Sequence, residues 1–419
     1  MVSSADLIAH AGQLSRQFSA APWVINYCKD RYNFTVTLVA AALQGQCSLL
    51  LPGHNAAMLG NTLAAYPDAV LVADDPDAVA GHEFIQPGDP EPEMPVRNES
   101  LVIPEEQLLA RVFTSGTTGV AAQISKAAGE IAGGAAVNSA RFEAFTHGQP
   151  RLIVATVPPW HMYGLEWSVM VPLVSSSVSY SGPTLFPGDI AAAAASSDLP
   201  VTLVSTPYHL QALERAGLEF ESIHDVISAT APLCPDLASR ISQRVQADLH
   251  EVYGCTEAGS VATASPATSA SFQFFPEFTV DEQDGKVTVN AKHLSAAVTL
   301  ADQIRFVDGV HFQIAGRDQE LIKVAGKRAS LAALNQALVS LDSVEDGVML
   351  QPEDDERLVA ILVADKSDRA TILARLAENI EASFVPRKLY FVEQLPRNET
   401  GKLSRSDLLS LLAARDSFE

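Results

Sequence analysis

The sequence predicts an α/β protein. A large N-terminal domain of parallel-sheet layers carries helices and a small β-barrel-like part, and a small C-terminal α+β domain follows. Three observations carry this expectation. From Phe34 to Tyr253, short apolar strand-like runs alternate with helical segments, the pattern of a parallel sheet covered on both faces. From about Phe272 to Phe312, short alternating segments read as a small antiparallel sheet or barrel. Beyond that the chain changes character and reads as a separate small module. A chain of 419 residues accommodates both parts with ample core. The boundary is expected at 317/318, giving domains 1–317 and 318–419.

Taken in order, residues 1–30 read as helical and amphipathic, with Ala5, Leu7, Ile8, Ala11 and Leu14 at helical spacing. An Ala/Leu/Val-rich helix from Phe34 runs into a buried strand at Cys47–Leu51 that ends at a Pro-Gly turn. A helix over 55–66 and a strand over 69–72 follow, then a surface loop over 73–104 rich in Asp, Pro and Glu. Residues 126–145, 165–174, 189–197, 208–216 and 235–247 read as helices. Strands are expected at 111–113, 151–157, 176–180, 201–205, 226–229 and 250–253. In the small module, 329–340 and 369–383 read as helices, and 346–350 and 357–363 as strands.

Composition excludes several function classes. The net charge of −22 argues against a nucleic-acid partner, which needs a basic surface. The four cysteines, Cys28, Cys47, Cys234 and Cys255, are scattered and form no CxxC. That usage points to a reducing, cytoplasmic compartment without a zinc site or disulfide framework. The first residues lack the basic-then-apolar order of a secretory signal, so none is expected. No apolar run is long enough for a membrane span.

The chemistry gathers around Thr114-Ser115-Gly116-Thr117-Thr118-Gly119, which offers four hydroxyls and two glycines after a short strand. Glycines let backbone amides approach a ligand, and such a loop can wrap an anion with N–H and hydroxyl donors. The same hexapeptide also serves as an ordinary solvated turn. It is not a Walker loop, which needs Gly, four residues, then Gly-Lys-Ser/Thr.

Further blocks follow in order: Val157-Pro158-Pro159-Trp160-His161-Met162-Tyr163-Gly164, Ala231-Pro232-Leu233, and Tyr253-Gly254-Cys255-Thr256-Glu257. Then come Gly316-Arg317-Asp318, Ile322 to Arg328, and Leu395-Pro396-Arg397-Asn398-Glu399-Thr400-Gly401-Lys402. Their order and spacing resemble the adenylate-forming superfamily of acyl- and aryl-CoA synthetases, adenylation domains and luciferases. The resemblance runs from about residue 30 to 410.

It implies ATP and Mg²⁺ as cofactors, a small carboxylic acid as substrate, and the phosphopantetheine thiol of an acyl carrier protein or CoA as acceptor. A carboxylate must attack the α-phosphate, so two anions meet and cationic or dipolar stabilisation is the main need. By resemblance, loop 114–119 cradles phosphate, Tyr253 and Gly254 lie against adenine, Thr256 bonds the α-phosphate and Glu257 ligates Mg²⁺. Asp302 and Arg317 hold the ribose. Trp160, His161, Ser228, Ala229 and Thr230 border the acid, and Gly326 lines the pantetheine path. Asp318 is the hinge of a mobile small domain, and Lys402 bridges carboxylate and α-phosphate.

The sequence also departs from the family. The Pro-Lys that usually follows the loop is replaced by Ala121-Ala122. Lys126 is the nearest cation, either a stand-in for the missing lysine or a solvated helix residue. Ser228 to Thr230 occupy a place where the family commonly has two glycines, which narrows the pocket. A closer resemblance, through Cys28 to Phe34, Gly326 to Leu331 and Phe384 to Arg387, is to the ligases of aryl-polyene and xanthomonadin pigment clusters, which load an aromatic or related acid onto a carrier protein. Two function classes stay open: an acid–thiol ligase, favoured by Glu257, Arg317 and Lys402, and a nucleotide-binding member without turnover, favoured by the altered loop.

Overall fold

The computed structural model describes residues 2–89, 102–113, 122–218, 220, 222–266, 269, 271–317, 321–324, 327–352, 357–399 and 401–416. The chain divides into two compact units: residues 1–270, 274–279 and 290–297, and residues 271–273, 280–289 and 298–419.

The first unit opens with α1 (Ser4–Ser15), β1 (Trp23–Asn26), α2 (Arg31–Leu43), β2 (Cys47–Leu50), α3 (Ala56–Ala65) and β3 (Val70–Val72). The helices start where side-chain oxygens catch free amides: Asp30 accepts from Asn33 N at 2.9 Å and Asn55 from Met58 N at 2.9 Å. β4 (Leu108–Phe113) and β5 (Gln123–Ala127) complete a sheet in the order β3-β1-β2-β4-β5, parallel except for β5. Two expectations are corrected here. Residues 23–26 form a central strand rather than extending the first helix, because β2 and β3 pair on its two sides. The helix read from Lys126 begins only at Ala128, since 123–127 pair with β4.

A second parallel sheet follows α4 (Ala128–Thr146). β6 (Leu152–Ala155) leads into α5 (Met162–Gly164), a π-helical stretch Leu165–Met170 and α6 (Val171–Val174). Then come β7 (Val178–Ser179), α7 (Pro187–Ala194), β8 (Val201–Ser205), α8 (Pro207–Arg215), β9 (Ile223–Ser228), α9 (Pro235–Val245), β10 (Asp248–Cys255) and β11 (Gly259–Ala264). Within this unit the order is β11-β10-β9-β8-β6-β7, with β11 antiparallel to β10.

The layers follow from the buried faces. Ile131, Leu165 and Val169 pack with Val24 and Val112 of the first sheet. Phe142, Trp167 and Val171 pack with Ile153, Val204 and Ile227 of the second. Helix α4 and residues 162–174 are therefore filled between two sheets, while α7 to α9 cover the second sheet's outer face and α3 covers the first. β2, β6 and β8 are buried throughout, as parallel strands covered on both faces must be.

β12 (Phe272–Phe274), β13 (Phe278–Gln283) and β14 (Lys286–Ala291) have residues in both units, while β15 (Val298–Thr299), β16 (Asp302–Phe306) and β17 (His311–Arg317) lie in the second. The barrel-like part is an open three-stranded sheet, β13-β14-β15. β18 (Leu321–Val324) and β19 (Lys327–Ser330) form a hairpin before α10 (Leu331–Val339). β20 (Asp346–Leu350), β21 (Val359–Val363), α11 (Arg369–Asn379), β22 (Lys388–Phe391) and α12 (Arg405–Asp416) complete the α+β part. β22 and α12 carried no expectation from sequence. No helix among the described residues is long and apolar enough to cross a membrane.

Candidate active site

The loop Thr114–Gly119 lies outside the described residues, as do Asp318 and Gly326. Of the strands on either side, Phe113 and Gln123 face each other across the antiparallel pair β4 and β5.

Tyr253 to Cys255 lie on the end of β10 rather than after it, and Thr256 and Glu257 form the turn into β11. Glycine is required twice here. A side chain at Gly254 would run into the carbonyl of Gly259. Gly259 has φ +73° and its added Cβ would strike the Glu166 carboxylate. Tyr253 is buried, Thr256 half-buried and Glu257 exposed. Burial pushes the Cys255 thiol up to about 12, so it is protonated at neutral pH.

Lys126 is neither helical nor solvated. It sits on β5, is 3% exposed, and its Nζ donates to the backbone carbonyl of Glu257. Glu166, from the π-helical stretch, is buried and accepts from Ser260 N at 3.3 Å and Ser260 Oγ at 2.7 Å. Burial raises its pKa, opposed by Ser260 and the charge of Lys126. Trp167 Nε1 donates to the same Ser260 Oγ at 2.9 Å. Lys126, Glu130, Glu166, Met162, Ala258 and His293 face one small cavity.

Trp160 is buried with its ring stacked on His54 at 3.8 Å, and Tyr27 stacks on the other face at 4.0 Å. Both His54 nitrogens lack a hydrogen-bond partner among the described residues, and burial pushes this ring down to about 3. His161 is half-buried and starts α5, its ring 6.3 Å from that of Trp160. Arg31 holds the segment from behind, donating to Val157 O at 2.8 Å, Ala155 O at 3.3 Å and Ser168 Oγ at 2.9 Å. Part of the Cys28–Phe34 signature is thus scaffold.

Ser228 and Ala229 are buried at the end of β9, and Thr230 stands at φ +81°. A β-branched residue is strained at such an angle, which is why glycine suits this position. Nearby, Glu251 Oε1 accepts from Leu233 N at 3.0 Å. Burial raises its carboxyl from 4.5 to about 7. Between those values the folded chain holds a proton that the unfolded chain releases, so stability falls as pH rises through about 7. Glu251→Gln keeps an acceptor for Leu233 N and is expected to flatten this decline. Urea midpoints at pH 5 and 7.5 check it, and unchanged pH dependence contradicts it.

In the second unit, Asp302 and Arg317 are directly paired across β16 and β17. Lys402 sits on a tight turn: its N donates to Asn398 Oδ1 at 2.8 Å, and its carbonyl accepts from Asn398 N at 2.9 Å. Gly401 has φ +78°. Arg397 braces the turn, donating to Gly401 O at 2.5 Å and to both oxygens of Asp346 at 2.6 and 2.7 Å. Sequence reading named neither Asp346 nor the bracing role of Arg397. The signal was an arginine five residues before the lysine, without its distant partner.

Comparison with known proteins gives the context. The AMP-binding enzyme family model matches residues 25–298, and the model of the AMP-binding enzyme C-terminal domain matches 333–402. A 4-coumarate–CoA ligase of Cereibacter sphaeroides is 28% identical over 261 residues, 61% of this chain and 60% of the ligase. The match thus spans less than two thirds of that relative's length. The structure of the anthranilate CoA ligase AuaEII with anthranoyl-AMP superposes with a TM-score of 0.81 at 16% identity, covering 98% of this chain and 92% of that one. O-succinylbenzoate coenzyme A synthetase of Bacillus subtilis, with ATP and magnesium ion, gives 0.76 at 17% identity, covering 97% and 93%. This chain belongs to the AMP-binding enzyme family.

Proposed function

We propose that the chain is an ATP-dependent acid–thiol ligase. A carboxylate oxygen of the substrate attacks the α-phosphorus of ATP, the bond to the β-phosphate oxygen breaks, and pyrophosphate leaves. A phosphopantetheine thiol then attacks the acyl carbon, AMP leaves, and the thiol proton is released. The observation that carries this reading is the cross-strand pairing of Asp302 with Arg317. Two residues singled out separately as ribose contacts lie opposite each other on neighbouring strands.

Thr114 to Gly119 hold phosphate, Tyr253 and Gly254 the adenine, and Thr256 the α-phosphate. Glu257 ligates Mg²⁺, which needs few protein ligands when it arrives on nucleotide phosphates. One exposed carboxylate fits that demand. The ion neutralises phosphate charge. Lys402 supplies a point charge between carboxylate and α-phosphate. The domain boundary at 317/318, the hinge at Asp318 and the Gly326 path belong to the same reading, and so does a cytoplasmic location.

The acid is aromatic or short. Trp160, His161, Ser228, Ala229 and Thr230 border it, and relatives act on 4-coumarate and anthranilate. Thr230→Gly is expected to relieve strain of about 1–2 kcal/mol and to widen the range toward bulkier acids. Melting temperature and an acid panel measure both, and a lowered melting temperature with an unchanged range contradicts this.

A carrier protein of the aryl-polyene type is the favoured acceptor. Lys327 and Arg397 are paired, with Glu381 and Asp346, but Arg387 and Lys388 are exposed and can attract an acidic carrier. The test offers holo-carrier protein and CoA at matched concentration with ATP, Mg²⁺ and the acid panel, and weighs the products by mass spectrometry. Preferential loading of the carrier supports the proposal. Better conversion of CoA makes the protein an acyl-CoA synthetase of the ordinary kind.

A further inference from the structure

β5 and the Glu257 turn belong to different sheets. The strand returning from the loop is β5, in the first sheet, while the turn joins β10 to β11 in the second. Along β5, Gln123 and Ser125 are exposed, while Lys126 points inward and is 3% exposed. Its Nζ reaches across to the carbonyl of Glu257. A buried ammonium is retained only where acceptors and counter-charge meet it. The Glu257 carbonyl is the acceptor, and the acidic side chains of Glu130 and Glu166 line the same small cavity. Glu166 itself grips Ser260, three residues beyond Glu257. The turn is therefore held from both sides, by Lys126 at Glu257 and by Glu166 at Ser260.

We propose that Lys126 is a positioning residue, a bolt between the two sheets that fixes the Glu257 turn against β5. It does not contact the phosphates as the missing loop lysine would. Ala122 stands where the resemblance implies a lysine, and the chain carries a different lysine on β5. That second lysine organises the metal-side turn instead. This inference rests on the ligase reading above.

The test is a double-mutant cycle read by calorimetric binding of MgATP, without turnover. Lys126→Met is expected to raise the MgATP dissociation constant about tenfold, the scale of losing a hydrogen bond to a charged group. In the Glu257→Ala background the same change is expected to add less than about twofold, since residues acting through one another are not additive. Lys126→Met leaves Glu166 buried without its cation, so Lys126→Met/Glu166→Gln is made as well. It is expected to regain most of the melting temperature while MgATP affinity stays low. Equal losses in the two Glu257 backgrounds would mean direct phosphate contact and overturn the proposal. Recovery of MgATP affinity in Lys126→Met/Glu166→Gln would reduce Lys126 to charge balance and overturn it too. Failure of the wild-type chain to bind MgATP overturns the ligase reading, and this inference with it.

Discussion

Lys402→Ala is expected to lower the rate of acyl-adenylate formation by about 10²-fold or more, the scale for losing a major electrostatic contact at a transition state. Two anions approach each other in that step, and a lysine is a compact cation on a flexible stem. The backbone at Lys402 is pinned at both its N–H and its carbonyl by Asn398, so the side chain starts from a defined point. Thioester formation from a pre-made adenylate is expected to persist, since the thiol step has no need for this cation. Single-turnover measurements of each half-reaction separate the two. Adenylation at a near wild-type rate would contradict the assignment.

Arg397→Met removes the support beneath that lysine. It breaks a two-point pair with Asp346 and the bond to Gly401 O, at a site where both side chains are only 17% exposed. Breaking such a pair from one side leaves a charge without its partner and is expected to cost about 3 kcal/mol of stability. Adenylation is expected to fall about tenfold, because displacing a reacting group by a fraction of an ångström erodes catalysis steeply. The pre-made adenylate should again be a good substrate. Arg397→Lys restores charge but not the planar fork, so it is expected to recover stability only in part. An unchanged adenylation rate in a destabilised Arg397→Met protein would confine Arg397 to a structural role.

Much of the first unit was legible because its strands are short apolar runs between helical segments. Asn55 announced α3, and the alternation of strand and helix announced parallel sheets. The missed elements have physical reasons. β1 is only four residues long, so its apolar run is not told from the preceding helical pattern until the pairing of β2 and β3 is known. Lys126 reads as the start of a helix because Ala127 and Ala128 follow it, yet pairing with β4 wins over local propensity. Its burial was invisible, since the acceptor that makes it tolerable is a backbone carbonyl 131 residues away. Asp346, Glu166 and Ser260 escaped for the same reason: each gains meaning from a distant partner. Among the motif residues, Asp302 lacked its usual neighbours, and its register opposite Arg317 was not legible in the sequence. The strained Thr230 was legible only as a missing glycine, and its φ of +81° supplies the reason.

The most direct test is acid-dependent exchange of labelled pyrophosphate into ATP, run with Mg²⁺ and a panel of aromatic and short aliphatic acids. The account predicts exchange with at least one acid, abolished by omitting Mg²⁺ and reduced by about 10²-fold or more in Lys402→Ala. Absence of exchange with every acid, in a protein that still binds MgATP, would contradict it and mark the chain as a nucleotide-binding member of the family without turnover.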